Sequence, residues 1–123
     1  MKTFVNREPV SGPWGGGNNF VKAFYEVAST HGHEVTPVLK PDTDIIFVID
    51  PRPENKSPGI QQILTAKQSL PKSKIVQRIN ECDARKNTEH MDHFLLQCSQ
   101  YNDMTIFVSK WMQEYFIKKG WAC

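Results

Sequence analysis

No apolar run in this chain approaches the ~20 residues that a membrane-spanning helix needs. The N-terminus also lacks the apolar stretch of a secretory leader. Cysteine is scarce: Cys82, Cys98 and Cys123 are the only three among 123 residues, and no two form a C-x-x-C pair. An odd, widely spaced set argues against a disulfide framework and for free thiols in a reducing compartment. Charge asymmetry is missing too, with 15 basic residues against 13 acidic ones. A dedicated nucleic-acid binder would carry a clustered basic face instead. These absences leave a soluble, cytoplasmic chain, long enough for one domain with one modest core. No internal repeat is present.

Five short apolar runs of β-type residues are present: Thr3–Asn6, Glu34–Leu39, Asp44–Ile49, Lys74–Ile79 and Met104–Val108. Helical patterns separate most of them. Phe20, Phe24, Val27, Ala28 and His31 share one face of the first, and Gly32 supplies its stop. Ser57-Pro58 reads as a cap with proline opening the second, which carries Ile60, Ile63 and Leu64. After Thr88, a third places Met91, Phe94, Leu95 and Cys98 on a stripe; after Ser109, a fourth does so with Met112, Tyr115 and Phe116 and stops near Gly120. The segment "LKPDTD", residues 39–44, is too short for a helix and predicts a loop or a helical turn. "DPRPENKSPG", residues 50–59, reads as a surface loop. Strands alternating with helices predict a Rossmann-like three-layer α/β/α sandwich, its mostly parallel sheet of about five strands covered on both faces.

In such a sheet ligands bind at the carboxyl ends of the strands, beside the point where the strand order reverses. The usual order 3-2-1-4-5 puts that point between the first and fourth strands. The loops leaving those two strands are the most unusual stretches of the sequence. One is "SGPWGGGNNF", residues 11–20, which holds four of the seven glycines. Gly12 to Gly17 has P-loop spacing, but Asn18 and Asn19 replace the lysine and hydroxyl, and no strand ends in an aspartate beside it to hold magnesium. The dinucleotide fingerprint fails as well, because Phe20 stands where its third glycine belongs. Two readings remain: a backbone cradle for an anion at a helix N-terminus, or a tight strand-to-helix turn.

The other loop is "RINECDARK", residues 78–86. Arg78 and Asn80, at the end of an apolar strand, are expected to line a cleft. Asp83 is a candidate acid/base group or sugar-hydroxyl acceptor, and Arg85 and Lys86 could neutralise phosphate. His90 and His93 stand one helical turn apart, but only Glu89 and Asp92 lie nearby, so no metal site is expected. Asp50 ends the third strand as in a response regulator, yet "NREP" after the first strand lacks that family's acidic pair.

Taken together, the sequence resembles the N-terminal half of a GT-B glycosyltransferase of the family-four type. "GPWGGGNNFVKAF" resembles the family's glycine loop and first helix, and "HGHEVTPV" its helix-to-second-strand corner. "DIIFVIDPR" is similar to its third strand, "KIVQRINECDARK" to its fourth strand and loop, and "DMTIFVSKWMQEYFIKKGW" to its fifth strand and following helix. The resemblance implies sugar transfer from a nucleotide-sugar donor to a glycan or lipid acceptor, in a cleft between two Rossmann-like domains. The nucleotide sugar is then a co-substrate, and no further cofactor is implied. Gly15, Gly16, Gly17 and Asn18 would face the donor diphosphate. Arg78, Asn80, Asp83 and Arg85, with Asp50 and Arg52, would line the acceptor side.

The family's second, nucleotide-binding half has no counterpart in these residues, so the isolated domain is expected to be inactive. Two Glu-x₇-Glu spacings, Glu26/Glu34 and Glu81/Glu89, lie in the wrong context for that half's glutamate pair. Trp111, Phe116 and Trp121 are candidates for an exposed interdomain surface through which the domain would self-associate. The alternative from another class is a stand-alone flavodoxin-like ligand-binding or interaction module without enzyme activity.

Overall fold

The computed structural model describes residues 1–9, 16–54 and 57–121. The interior strands, β1 (Lys2–Val5), β3 (Ile45–Val48) and β4 (Lys74–Ile79), are short and buried on both faces. Strand β3 is wholly apolar, whereas β1 buries Thr3 and β4 buries Gln77 and Arg78 among its apolar residues. The edges are β2 (Glu34–Thr36), shorter than its apolar run, and β5 (Met104–Phe107), whose residues alternate between exposed and half-buried. All pairings are parallel. Helices α1 (Gly16–Thr30), α2 (Ile60–Lys67), α3 (Asp83–Lys86), α4 (Met91–Ser99) and α5 (Lys110–Lys118) are interleaved with the strands.

The strand order is β2-β1-β3-β4-β5, which corrects the expected 3-2-1-4-5. The cause lies at Asp44. Its N–H donates to Lys2 O (2.8 Å), its carboxylate accepts from Lys2 N (2.8 Å), and its carbonyl accepts from Lys74 N (2.9 Å). Asp44 therefore fixes the start of β3 between β1 and β4. The preceding loop has no helix; it turns on Thr43, whose hydroxyl bonds both the N–H and the carbonyl of Lys40. The reversal of strand order consequently falls between β1 and β3.

Helix α1 covers one face, where Phe20, Val21, Phe24 and Tyr25 pack on Val5, Phe47 and Ile49. The opposite face carries α2, through Ile63 on Phe4, Ile46, Val48 and Ile75, and then α4 and α5, through Leu95, Met112 and Phe116 on Ile79. Val21, not Val27, is the buried anchor of α1; Val27 is exposed. Gly59, not Ser57, caps α2, and Gln62 Oε1 accepts its N–H (2.7 Å). Ser57 instead pairs with Glu54 in an isolated bridge. Gly32 ends α1 at φ +80°, a conformation that a β-carbon opposes.

The sheet is not covered equally on both faces. On β5, Met104 and Ile106 lie beside Val76 and Arg78, on the α1 side. Met104, Ile106 and the following Val108 are all exposed, so the described helices leave that end of the face open. Phe116 is fully buried and Trp121 packs on it and on Phe107. Of the three aromatics expected at an exposed surface, Trp111 alone is exposed.

Candidate functional site

The carboxyl ends of β1, β3 and β4 bring together Asn6 and Arg7, Asp50 and Arg52, and Asn80 and Glu81. Asn6 is the tie between the first two. Its side chain is buried; Nδ2 donates to Asp50 O (2.6 Å) and Pro58 O (3.1 Å), and Oδ1 accepts from Ile49 N (2.8 Å). Strand β1 thereby shapes both the turn after β3 and the approach to α2. A second constraint is Gly59, where a β-carbon would lie 2.7 Å from Pro53 Cδ and 2.9 Å from Pro51 O.

Arg52 is the centre of the charge network. Its guanidinium is bidentate on Asp50, with Nη2 2.6 Å from Oδ2 and Nε 2.9 Å from Oδ1, and Nη2 also reaches Glu81 Oε1 at 2.7 Å. This geometry links the end of β3 to the end of β4. Arg7 adds a second cation, donating to Arg52 O (2.6 Å) and pairing with Glu54 (3.4 Å). Burial acts to raise the Asp50 pKa. Hydrogen bonds from the side chain and backbone of Arg52, with the charges of Arg52 and Arg7, outweigh it and hold the carboxyl below its ordinary value. The Arg52 pKa is raised, chiefly by its hydrogen bond to Asp50.

Asp50, Arg78, Asn80 and Glu81 line a small cleft with Ile49, Pro51 and Met91. Its enclosed space is about 10 Å³, room for about one water. A ligand larger than water could not be enclosed by this cleft.

Asp83 is occupied differently from a free acid/base group. One carboxylate oxygen accepts from the Thr88 hydroxyl and from Met91 N (3.0 Å), the other from Asp92 N (3.0 Å). Asp92 returns the contact by accepting from Asp83 N (2.7 Å), and its other oxygen takes the Tyr115 hydroxyl and the Lys119 ammonium. Asp83 therefore caps α4 from the first residue of α3. Partial desolvation acts upward on its pKa, but these hydrogen bonds prevail and lower it. The charged stretch after β4 folds into the short helix α3, where a loop was expected, and exposed Arg85 beside Ser109 and Trp111 borders a shallow depression.

Arg78 points to the other face. Ile79 packs with α4 and α5, so the pleat turns Arg78 towards α1, where its guanidinium lies 4.5 Å from the Phe20 ring centre. Gly16, Gly17 and Asn18 open α1 on that side of the sheet, while Gly15 and the rest of the glycine loop back to Ser11 lie outside the described residues. The expected site residues therefore divide between two faces of one sheet edge. Asp50, Arg52 and Asn80 come together; Arg78 also lines their cleft, while its guanidinium lies against Phe20 of α1. His90 and His93 are exposed, and no metal-holding group of three or more His, Cys, Asp or Glu occurs among the described residues.

Sequence reasoning missed Asn6, Arg7 and Glu81. Asn6 left one signal, a polar residue closing an apolar strand.

Comparison with family models, with curated proteins and with solved structures finds no match for this chain. The fold is a five-strand, all-parallel α/β sheet with interleaved helices, Rossmann-like in topology. No helix among the described residues is long and apolar enough to cross a membrane.

Proposed function

We propose that this chain is the acceptor-side domain of a nucleotide-sugar glycosyltransferase, working with a second domain that grips the nucleotide. The observation that carries the reading is the convergence of Asp50, Arg52, Asn80 and Glu81 at the carboxyl edge, beside the glycine-rich start of α1. The ordered resemblance of five segments to the family supports it. Carboxylates paired with guanidinium groups suit sugar hydroxyls, which both donate and accept hydrogen bonds. In the transfer, the bond between the donor's anomeric carbon and its phosphate oxygen breaks. That carbon bonds to an acceptor oxygen, the nucleoside diphosphate departs with the electron pair, and the acceptor's proton is released.

In this reading Asp50, Arg52, Asn80 and Glu81 orient the acceptor. Asp83, shortly after Asn80 and Glu81 in the chain, ties that segment to α4 and serves as a positioning residue. Gly16, Gly17 and Asn18 let the donor's diphosphate approach the backbone at the positive end of α1. No cofactor is required beyond the co-substrate.

One observation favours a second reading. The order 2-1-3-4-5 is that of flavodoxin-like folds, which hold a ligand between β1 and β3 within a single domain. The product of the complete gene, incubated with a panel of nucleotide sugars and glycan or lipid acceptors, discriminates the two. The transferase reading expects donor-dependent release of nucleoside diphosphate and a matching mass gain of one sugar on an acceptor. Ligand binding without consumption of any donor would overturn it in favour of the binding module.

A further inference from the structure

We propose that Arg78 anchors an oxyanion, a phosphate or phosphate ester, over the first turn of α1. The proposal deepens the reading above and rests on it in one respect, that this sheet edge receives a substrate.

The first observation is an uncompensated guanidinium. Arg78 is only 9% exposed, and its Nη1 has no hydrogen-bond partner. Arg7 and Arg52 hold carboxylates, as do Lys2, Lys40 and Lys119. No carboxylate among the described residues pairs with Arg78. The acidic groups that line the cleft with it, Asp50 and Glu81, are held by Arg52. Burial lowers the Arg78 pKa with no opposing charge interaction, which is the mark of a desolvated cation without a counter-ion. The Phe20 ring offers its π-face but no acceptor.

The second observation is where the guanidinium lies. Phe20 follows the start of α1 by four residues, about 6 Å along the axis, so Arg78 stands within about one turn of the helix's N-terminal amides. No acidic side chain occupies that first turn. Two sources of positive potential converge there: the end of a 15-residue helix and a buried guanidinium. A tetrahedral oxyanion matches both, accepting from the planar fork on one side and from backbone N–H groups on the other.

A packing role would leave a different signature. If Arg78 only filled space beneath α1, an apolar side chain of similar length would serve equally, and no anion would depend on it. The test titrates the chain with pyrophosphate, with a nucleoside diphosphate and with glucose 1-phosphate. Binding is followed by calorimetry at fixed ionic strength in wild type, Arg78→Met and Arg78→Lys. The expected result is saturable binding by wild type that weakens at least tenfold in Arg78→Met and by less in Arg78→Lys. Without ligand, Arg78→Met is expected to unfold at the same urea concentration as wild type or higher, since a buried unpaired charge has been removed.

Tighter binding of the two diphosphates assigns the oxyanion to the donor; tighter binding of glucose 1-phosphate assigns it to the acceptor. Unchanged affinity in a folded Arg78→Met protein, or no saturable binding of any probe by wild type, would overturn the proposal. Arg78-dependent phosphate binding without sugar transfer would sink the transferase reading alone. Transfer with Arg78-independent phosphate binding would sink this inference alone.

Discussion

Replacing Asn6 with alanine removes the tie between β1 and the turn that follows β3. Three hydrogen bonds are lost, at 2.6, 3.1 and 2.8 Å, and the cost follows from what each leaves behind. The carbonyls of Asp50 and Pro58 each lose a donor, at about 1 kcal/mol apiece. The Ile49 N–H loses its acceptor inside a residue only 7% exposed, and an orphaned buried amide costs about 2 kcal/mol. The sum is about 4 kcal/mol, reduced to about 2 kcal/mol if a water enters the vacated space and bonds that N–H. Urea unfolding followed by circular dichroism reads the difference. With a slope of about 2 kcal/mol/M, the midpoint falls by roughly 1–2 M while the slope is unchanged. Asn80→Ala is the control, because Asn80 follows β4 at the same edge of the sheet but is exposed, and it is expected within about 0.5 kcal/mol of wild type. An Asn6→Ala protein as stable as Asn80→Ala would refute this account of how the edge is held.

Four further outcomes follow from the same geometry. Gly59→Ala places a β-carbon 2.7 Å from Pro53 and is expected to cost about 1–3 kcal/mol in urea unfolding, although its extended backbone suits any residue. Asp83→Ala removes the acceptor that caps α4 and is expected to lower stability by about 1 kcal/mol in thermal unfolding. Asp50 has a lowered folded pKa, so its contribution is present above the ordinary aspartate value of about 4 and is lost as pH falls through the folded value; Asp50→Asn should therefore flatten the fall of the urea midpoint below about pH 4. Tyr25, whose hydroxyl is buried without a partner, has its pKa pushed up to about 12 by burial and then by Glu8. Burial and then Asp92 also raise the Tyr115 pKa, so in an ultraviolet titration Tyr25 is identified as a late-ionising tyrosine by its loss in Tyr25→Phe. Stability should fall as pH rises from about 10 towards about 12.

The five strands were legible because each holds a cluster of β-type residues between turn residues, and α4 and α5 because their apolar stripes have helical spacing. Their order was not. Asp44 sets it by bonding Lys2 and Lys74, partners that no local pattern links to it. The face of α1 was misjudged at Val27 because both Val21 and Val27 fit a helical period, and only the sheet beneath decides between them. Asp50, Arg52 and Asn80 were legible as residues closing apolar strands. The capping role of Asp83 was hidden, since a carboxylate accepting amides eight and nine residues ahead looks in sequence like any acid in a charged run. Arg78 was legible as cleft-lining through its place at a strand end. Its lack of a partner follows from the pleat, which turns it away from the acids around it in sequence.

Amide chemical-shift mapping of the ¹⁵N-labelled chain, titrated with a panel of nucleotide sugars, tests most directly whether this edge is where substrate binds. The account predicts that at least one donor moves resonances at Gly16–Phe20 and at the ends of β1, β3 and β4: Asn6, Asp50 to Arg52, and Arg78 to Asn80. Shifts confined to the opposite edge, at Lys2, Asp44, Lys74 and Asp103, would contradict it, as would a folded chain whose spectrum responds to no donor.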